Sequence, residues 1–155
     1  MKVEPLIRSA VPDDAKAISR VIIRALRESN AQDYPPEVID SVSANFSPER
    51  VTQLMTERDV LIAVVADEVA GTASLQGAAV RTVFVDPDRQ GCGIGAALMG
   101  EIEHRARQRD LSQLIVPSSI TAEGFYAKLG FSAVRDEYHG SERTIIMQKP
   151  LGPAA

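Results

Sequence analysis

The sequence predicts a single α/β domain, with a mixed, mostly antiparallel central sheet of about six to seven strands and helices on both faces. Three observations carry this prediction. Apolar, β-branched runs alternate with amphipathic helical stretches through the second half of the chain. In the middle, successive runs are joined by short turns, as in hairpins. The length of 155 residues, 45% apolar and 25% charged, suits one domain of ordinary globular composition.

Ile7-Arg8 reads as a short opening strand. Val11-Pro12-Asp13-Asp14 then starts a helix, with proline and acids where the first turn favours them. Ala15, Ile18, Val21, Ile22, Ala25 and Leu26 follow at spacings of three and four, which defines one buried face. The pattern breaks at Asp33-Tyr34-Pro35-Pro36, and a second helix is expected over residues 37–45. Ser47-Pro48-Glu49-Arg50 signals a third, reaching Glu57.

Residues 60–65 read as a strand, Asp67-Glu68 as a turn, and residues 69–75 as the returning strand. Gln76-Gly77 turns again into a strand over residues 79–85. A helix over 94–109, a strand over 113–116, a helix over 121–129 and strands over 131–138 and 143–148 complete the series. In the long helix, Ile94, Ala97, Leu98, Ile102 and Ala106 form an apolar stripe, and Glu101–Arg105 and Glu103–Arg107 are ion pairs one turn apart. One domain is expected over residues 1–149, followed by a flexible tail over 150–155.

Composition narrows the function. A single cysteine, Cys92, excludes an internal disulfide framework and leaves no cysteine pair for zinc, so no metal is expected. No apolar run approaches the roughly 18 residues that span a membrane, and the N-terminus lacks a signal peptide's apolar core. These features point to a cytoplasmic protein with no membrane partner. The formal net charge of −4 and the absence of a basic run make nucleic acid a poor partner.

The chemistry concentrates in residues 83–96, where the strand ending Val83-Phe84-Val85 passes through Asp86-Pro87-Asp88-Arg89 into Gln90-Gly91-Cys92-Gly93-Ile94-Gly95-Ala96. Glycines at alternate positions leave backbone N–H groups bare at a helix start, backed by the positive end of the helix dipole. That construction suits a phosphate or pyrophosphate. A Walker loop is excluded because no Gly-Lys-Ser/Thr follows. A dinucleotide fingerprint fits Gly91, Gly93 and Ala96, but the strand ending near Val116 carries no acid for a ribose. A glycine turn with no ligand is the bland alternative.

Gln90-Gly91-Cys92-Gly93-Ile94-Gly95 resembles motif A of the GNAT superfamily of acyl-CoA N-acyltransferases, Gln/Arg-x-x-Gly-x-Gly/Ala. Ala122-Glu123-Gly124-Phe125-Tyr126-Ala127-Lys128-Leu129-Gly130-Phe131 resembles that family's second signature, about 30 residues further on. The likeness covers essentially the whole chain. It implies acetyl-CoA as cosubstrate, an amine acceptor, direct attack in a ternary complex, and a splayed central strand pair. Relatives often pair, so a homodimer is compatible with it.

The resemblance assigns the coenzyme A pyrophosphate to backbone amides of Gly91, Gly93, Gly95 and Ala96 within the loop Gln90, Cys92 and Ile94 complete. It assigns pantetheine to the backbone of Val83, Phe84 and Val85. Arg89 and Lys128 either meet phosphates or are solvated charges. Ser119 stands where the family often has an asparagine reaching pantetheine, and either takes that part or caps the following helix. Tyr126 stands at the family's general acid and otherwise would be a core tyrosine. No carboxylate lies on Ala78-Ala79-Val80-Arg81-Thr82 to serve as base, which leaves Asp33, Tyr34, His139 and Glu142 as candidates. Cys92 has no local histidine partner and reads as a loop filler, and His104 as a solvated side chain. A non-catalytic acyl-CoA-binding domain is the alternative function, with a dinucleotide-binding protein a distant third.

Overall fold

The structure, a computed structural model, describes residues 4–140 and 142–152. Seven strands form one sheet in the order β1-β2-β3-β4-β5-β7-β6. They are β1 (Leu6–Ser9), β2 (Asp59–Val65), β3 (Glu68–Gln76), β4 (Ala79–Val85), β5 (Gln113–Ser118), β6 (Ser132–His139) and β7 (Glu142–Pro150). The helices are α1 (Ala15–Glu28), α2 (Pro36–Ser43), α3 (Pro48–Glu57), α4 (Ile94–Gln108) and α5 (Glu123–Lys128). Every neighbouring strand pair is antiparallel except β4–β5.

Each face of the sheet has its own core. Ile18, Ile22 and Leu26 of α1 pack with Val38 and Ile39 of α2 and Val51 of α3 against Ile62. On the other face Ile94, Leu98, Met99, Ile102 and Ala106 of α4 lie against Leu61, Ala63, Ala70, Ala73 and Leu75. Gly71 lets α4 approach this closely, since a Cβ there would stand 3.0 Å from Ile94 and 3.1 Å from Leu98. The anticipated ion pairs of α4 form at 3.0 Å for Glu101–Arg105 and 3.7 Å for Glu103–Arg107. Arg105 and Arg109 also clamp Asp59 at the start of β2, at 2.8 and 2.7 Å.

Several boundaries move for physical reasons. The β2–β3 turn is Ala66-Asp67, one residue earlier than expected, with both residues at positive φ (52° and 64°), as a two-residue hairpin matched to strand twist requires. Pro12–Asp14 forms a 3₁₀ turn ahead of α1, held by the Asp14 carboxylate, which accepts from Val11 N–H at 2.8 Å. α2 ends at Ser43 and passes into a 3₁₀ turn over Ala44–Phe46. At the C-terminus, Pro150 belongs to β7, and Leu151 is buried with its N–H donating to Ser112 O at 2.8 Å. The expected tail therefore does not begin at Pro150, and residues 153–155 lie outside the described set.

Two irregularities position the site. β4 and β5 meet at a single register pair, Ala79↔Ile115, supported by Ile115 N–H donating to Ala78 O at 2.9 Å, and part beyond it. Between Arg81 and Phe84, β4 also bulges against β3. Thr82 sits in this bulge at φ 55°, a left-handed conformation uncommon for a β-branched residue.

Candidate active site

The parting of β4 and β5 opens a cleft of about 1360 Å³. Val83, Phe84 and Val85 line one side, and Val116, Pro117 and Ser119 the other. The glycine loop lies at one end, with Gly91, Gly93, Ile94, Gly95 and Ala96 on the wall. Arg89, Gln90 and Lys128 border the same region. Of the loop and strand residues singled out from sequence, the structure thus brings all but Cys92 to this cleft. The Cys92 side chain instead packs against the α4-side core.

Local chemistry explains the loop. Gly91 and Gly93 take φ values of 79° and 86°, and a Cβ on Gly91 would meet nothing within 4 Å. Gly93 is the N-cap of α4 and offers no side chain to its turn. The first intrahelical bond is Ala97 N–H to Gly93 O at 3.1 Å, so the N–H groups of Ile94, Gly95 and Ala96 have no helical acceptor. The approach to the loop is braced from α1. Arg24 reaches Asp86 and Asp88, each at 3.1 Å, and Gln90 Nε2 donates to Ser29 Oγ at 3.1 Å. Asp86 is itself buried, and its carboxylate accepts from Asp88 N–H at 2.9 Å. Arg89 pairs with Glu68 at 3.2 Å.

Gly95 is explained by packing. A Cβ on it would stand 3.0 Å from the Phe125 ring, so the two signatures touch here. Phe125 in turn meets Tyr126 edge-on at 5.1 Å, and Tyr126 meets Phe131 at 5.5 Å. Tyr126 is 4% exposed yet lines the cleft, and its hydroxyl has no hydrogen-bond partner among the described residues. Burial alone pushes its phenol well above the ordinary tyrosine value, so it is protonated at neutral pH.

Ser119 lines the cleft, but its hydroxyl accepts from Ala122 N–H at 3.2 Å, the bond expected of a cap on the turn into α5. Lys128 is exposed at the rim.

The base candidates separate clearly. Tyr34 is committed elsewhere: its hydroxyl donates to Arg143 O at 2.9 Å and accepts from Ile120 N–H at 2.7 Å. Burial raises its phenol further, which removes it as a base. Asp33 accepts from Thr121 Oγ1 at 2.8 Å and is exposed. His139 and Glu142, from the β6–β7 hairpin, do line the cleft. So does Glu137, which sequence reasoning missed, because its place on the inward face of β6 follows from the β6–β7 register. Arg58 and Arg81 were missed as site residues too: one lies just past the end of α3 and the other precedes the bulge, and neither belongs to a motif. Among the described residues no group of three His, Cys, Asp or Glu side chains could hold a metal ion, and no helix is long and apolar enough to cross a membrane.

Comparison with known proteins agrees with this geometry. An N-acetyltransferase of Escherichia coli, YafP, itself uncharacterised, is 28% identical over 131 residues, covering 84% of this chain and 83% of that protein. The crystal structure of a GCN5-related N-acetyltransferase from Rhodopseudomonas palustris superposes with a TM-score of 0.92 at 25% identity, over 97% of this chain and 98% of that one. The PaiA N-acetyltransferase of Thermoplasma acidophilum, solved in complex with coenzyme A, shares the fold with a TM-score of 0.82 at 19% identity, over 96% and 100% of the two chains. The acetyltransferase (GNAT) domain family matches residues 30–148. The chain therefore belongs to the GNAT family and is an acyl-CoA-dependent N-acetyltransferase.

Proposed function

We propose that the protein transfers an acetyl group from acetyl-CoA to a primary amine of a small molecule or peptide, by direct attack within a ternary complex. The observation that carries this reading is the parted β4–β5 pair, which runs into an uncapped glycine-rich helix start. The free loop amides suit a pyrophosphate, and the β5-facing edge of Val83 to Val85, left open where the two strands part, suits pantetheine amides, as if one short strand were added to the sheet. A related fold carrying coenzyme A supports the assignment.

In this reading backbone N–H groups near Phe84 polarise the thioester carbonyl. The neutral amine attacks that carbon, the C–S bond breaks, and Tyr126 hydrogen-bonds and protonates the departing thiolate. A phenolate in its apolar surroundings is costly, so the proton released by the amine nitrogen restores the phenol within the same turnover. Glu142, His139 or Glu137 on the hairpin side can relay that proton. Arg89 and Lys128 add charge near the phosphates, and Ser119 serves the turn into α5. The domain is proposed to extend through Leu151, the last buried residue of the core.

Titration calorimetry with acetyl-CoA tests the cofactor site, and thiol release across an amine panel tests turnover. Saturable binding together with amine-dependent release is expected. Binding with no release on any amine would favour a non-catalytic acyl-CoA sensor, and no binding by folded protein would sink the assignment.

A further inference from the structure

Beyond the glycine loop, the cleft continues along the face of the sheet covered by α1 to α3. There it meets two guanidinium groups that the cofactor reading does not use. Arg58 and Arg81 both line this end, beside Phe46, Thr82 and Phe84. Arg81 precedes Val85 by four residues, about 13 Å of extended strand, on the side away from the glycine loop. The pair is thus remote from the proposed phosphate cradle but adjacent to the strand segment proposed to hold the thioester.

Neither arginine has a carboxylate within salt-bridge distance among the described residues, although most arginines of this chain do. The nearby Glu57 is taken by Arg50 at 3.5 Å. Arg58 Nη1 donates to Thr82 Oγ1 at 3.0 Å, while its Nε is buried with no acceptor among the described residues. Burial and the neighbouring Arg81 charge both work against the Arg58 cation. A buried donor left unsatisfied and a like-charge pair that Glu57 only partly offsets are each unfavourable. Thr82, which orients Arg58, is itself held in the left-handed region by the bulge. A strained residue and two guanidinium groups without carboxylate partners converge on one point of the cleft wall, where a bound oxyanion would accept from their terminal N–H groups and offset the charge.

We infer that Arg58 and Arg81 form an oxyanion-recognition site at the acceptor end of the cleft, so that the amine acceptor carries a carboxylate or phosphate close to its nucleophilic nitrogen. The substrate class rests on the acyl-transfer reading above, whereas the anion site itself does not. A guanidinium fork matches either anion in bidentate fashion. Glu142 stands on the hairpin side of the same cleft and gives it an opposite pole for the ammonium of an arriving acceptor, whereas Glu137 there is held by Arg135 at 2.9 Å.

The test uses the full chain saturated with coenzyme A, so that the cofactor's own phosphate sites are filled. Inorganic phosphate, compared with chloride at matched ionic strength, should raise the melting temperature of the wild type. It should have no such effect on Arg58→Gln or on Arg81→Gln, whose side chain is exposed and whose loss is compatible with folding. Equal phosphate shifts in all three proteins would overturn the site. In the kinetic arm, paired acceptors differ only in the anion: ethanolamine phosphate against ethanolamine for phosphate, and an α-amino acid against its amide for carboxylate. A preference of about tenfold or more in kcat/KM for one anionic member is expected, reduced to near unity in Arg58→Gln at unchanged acetyl-CoA KM, the scale of a hydrogen bond to a charged group. A wild-type ratio near unity in both pairs would overturn the substrate class. If no amine is turned over, the acyl-transfer reading fails, and the phosphate arm still decides the site.

Discussion

Tyr126→Phe separates chemistry from stability more cleanly than any other change in this protein. The substitution removes one hydroxyl and keeps the ring, so the edge-on contacts with Phe125 and Phe131 survive. The hydroxyl has no protein hydrogen bond among the described residues, so none is lost. The hydroxyl faces the cleft and is not among the buried polar atoms left without a partner, so Phe should leave the fold about equally stable. If Tyr126 supplies the thiolate's proton, kcat should fall about 10²–10⁴-fold, which is about 3–5 kcal/mol of barrier. Thiol release at saturating acetyl-CoA and amine measures the rate, thermal melting the stability, and calorimetry the cofactor affinity. The expected signature is a lost kcat with unchanged melting and unchanged acetyl-CoA affinity. A Phe variant with wild-type kcat would remove Tyr126 from the mechanism, and one that melts well below the wild type would show a structural hydroxyl instead. Burial holds the phenol above its ordinary value, so no falling limb from its ionisation should enter the rate profile up to about pH 10.

Other substitutions report on the frame around the site. Tyr34→Phe breaks both the bond to Arg143 O and the one from Ile120 N–H, and should cost about 1–3 kcal/mol, read as a melting temperature several degrees lower. Gly93→Ala forces a Cβ onto a residue at φ 86°, at a cost of about 1–2 kcal/mol, and should lower the melting temperature and weaken acetyl-CoA binding in calorimetry. Asp14 is held below the ordinary carboxylate value chiefly by its hydrogen bond from Arg8. A depressed folded-state value means this stabilisation is present above the unfolded value and disappears as pH falls through the folded one. Asp14→Asn should therefore melt lower near neutral pH, by about 0.5–1 kcal/mol because Arg8 is partly exposed, and converge with the wild type in acid.

Much of this protein is readable from its residues, because the reasons are local. A buried stripe repeating at three and four residues makes α1 a helix wherever it docks, and the glycine run frees amides at the start of α4 through backbone sterics alone. The proline starts of α2 and α3 are likewise written in neighbouring residues. Glu101–Arg105 is readable for the same reason, since one turn of helix brings the two together.

What needed the tertiary structure depends on partners distant in sequence. Nothing near Tyr34 announces that its hydroxyl will join Arg143 to Ile120, more than a hundred residues from one and some eighty from the other. Its exclusion as a base follows only from that closure. Thr82 looks like an ordinary strand residue, yet the register of β4 on β3 puts it in a bulge at positive φ. That bulge, together with the end of α3, brings Arg58 beside Arg81. Local preference sets which segments become helix or strand. The contents of the cleft are set by strand order and register, which bring residues far apart along the chain into one wall.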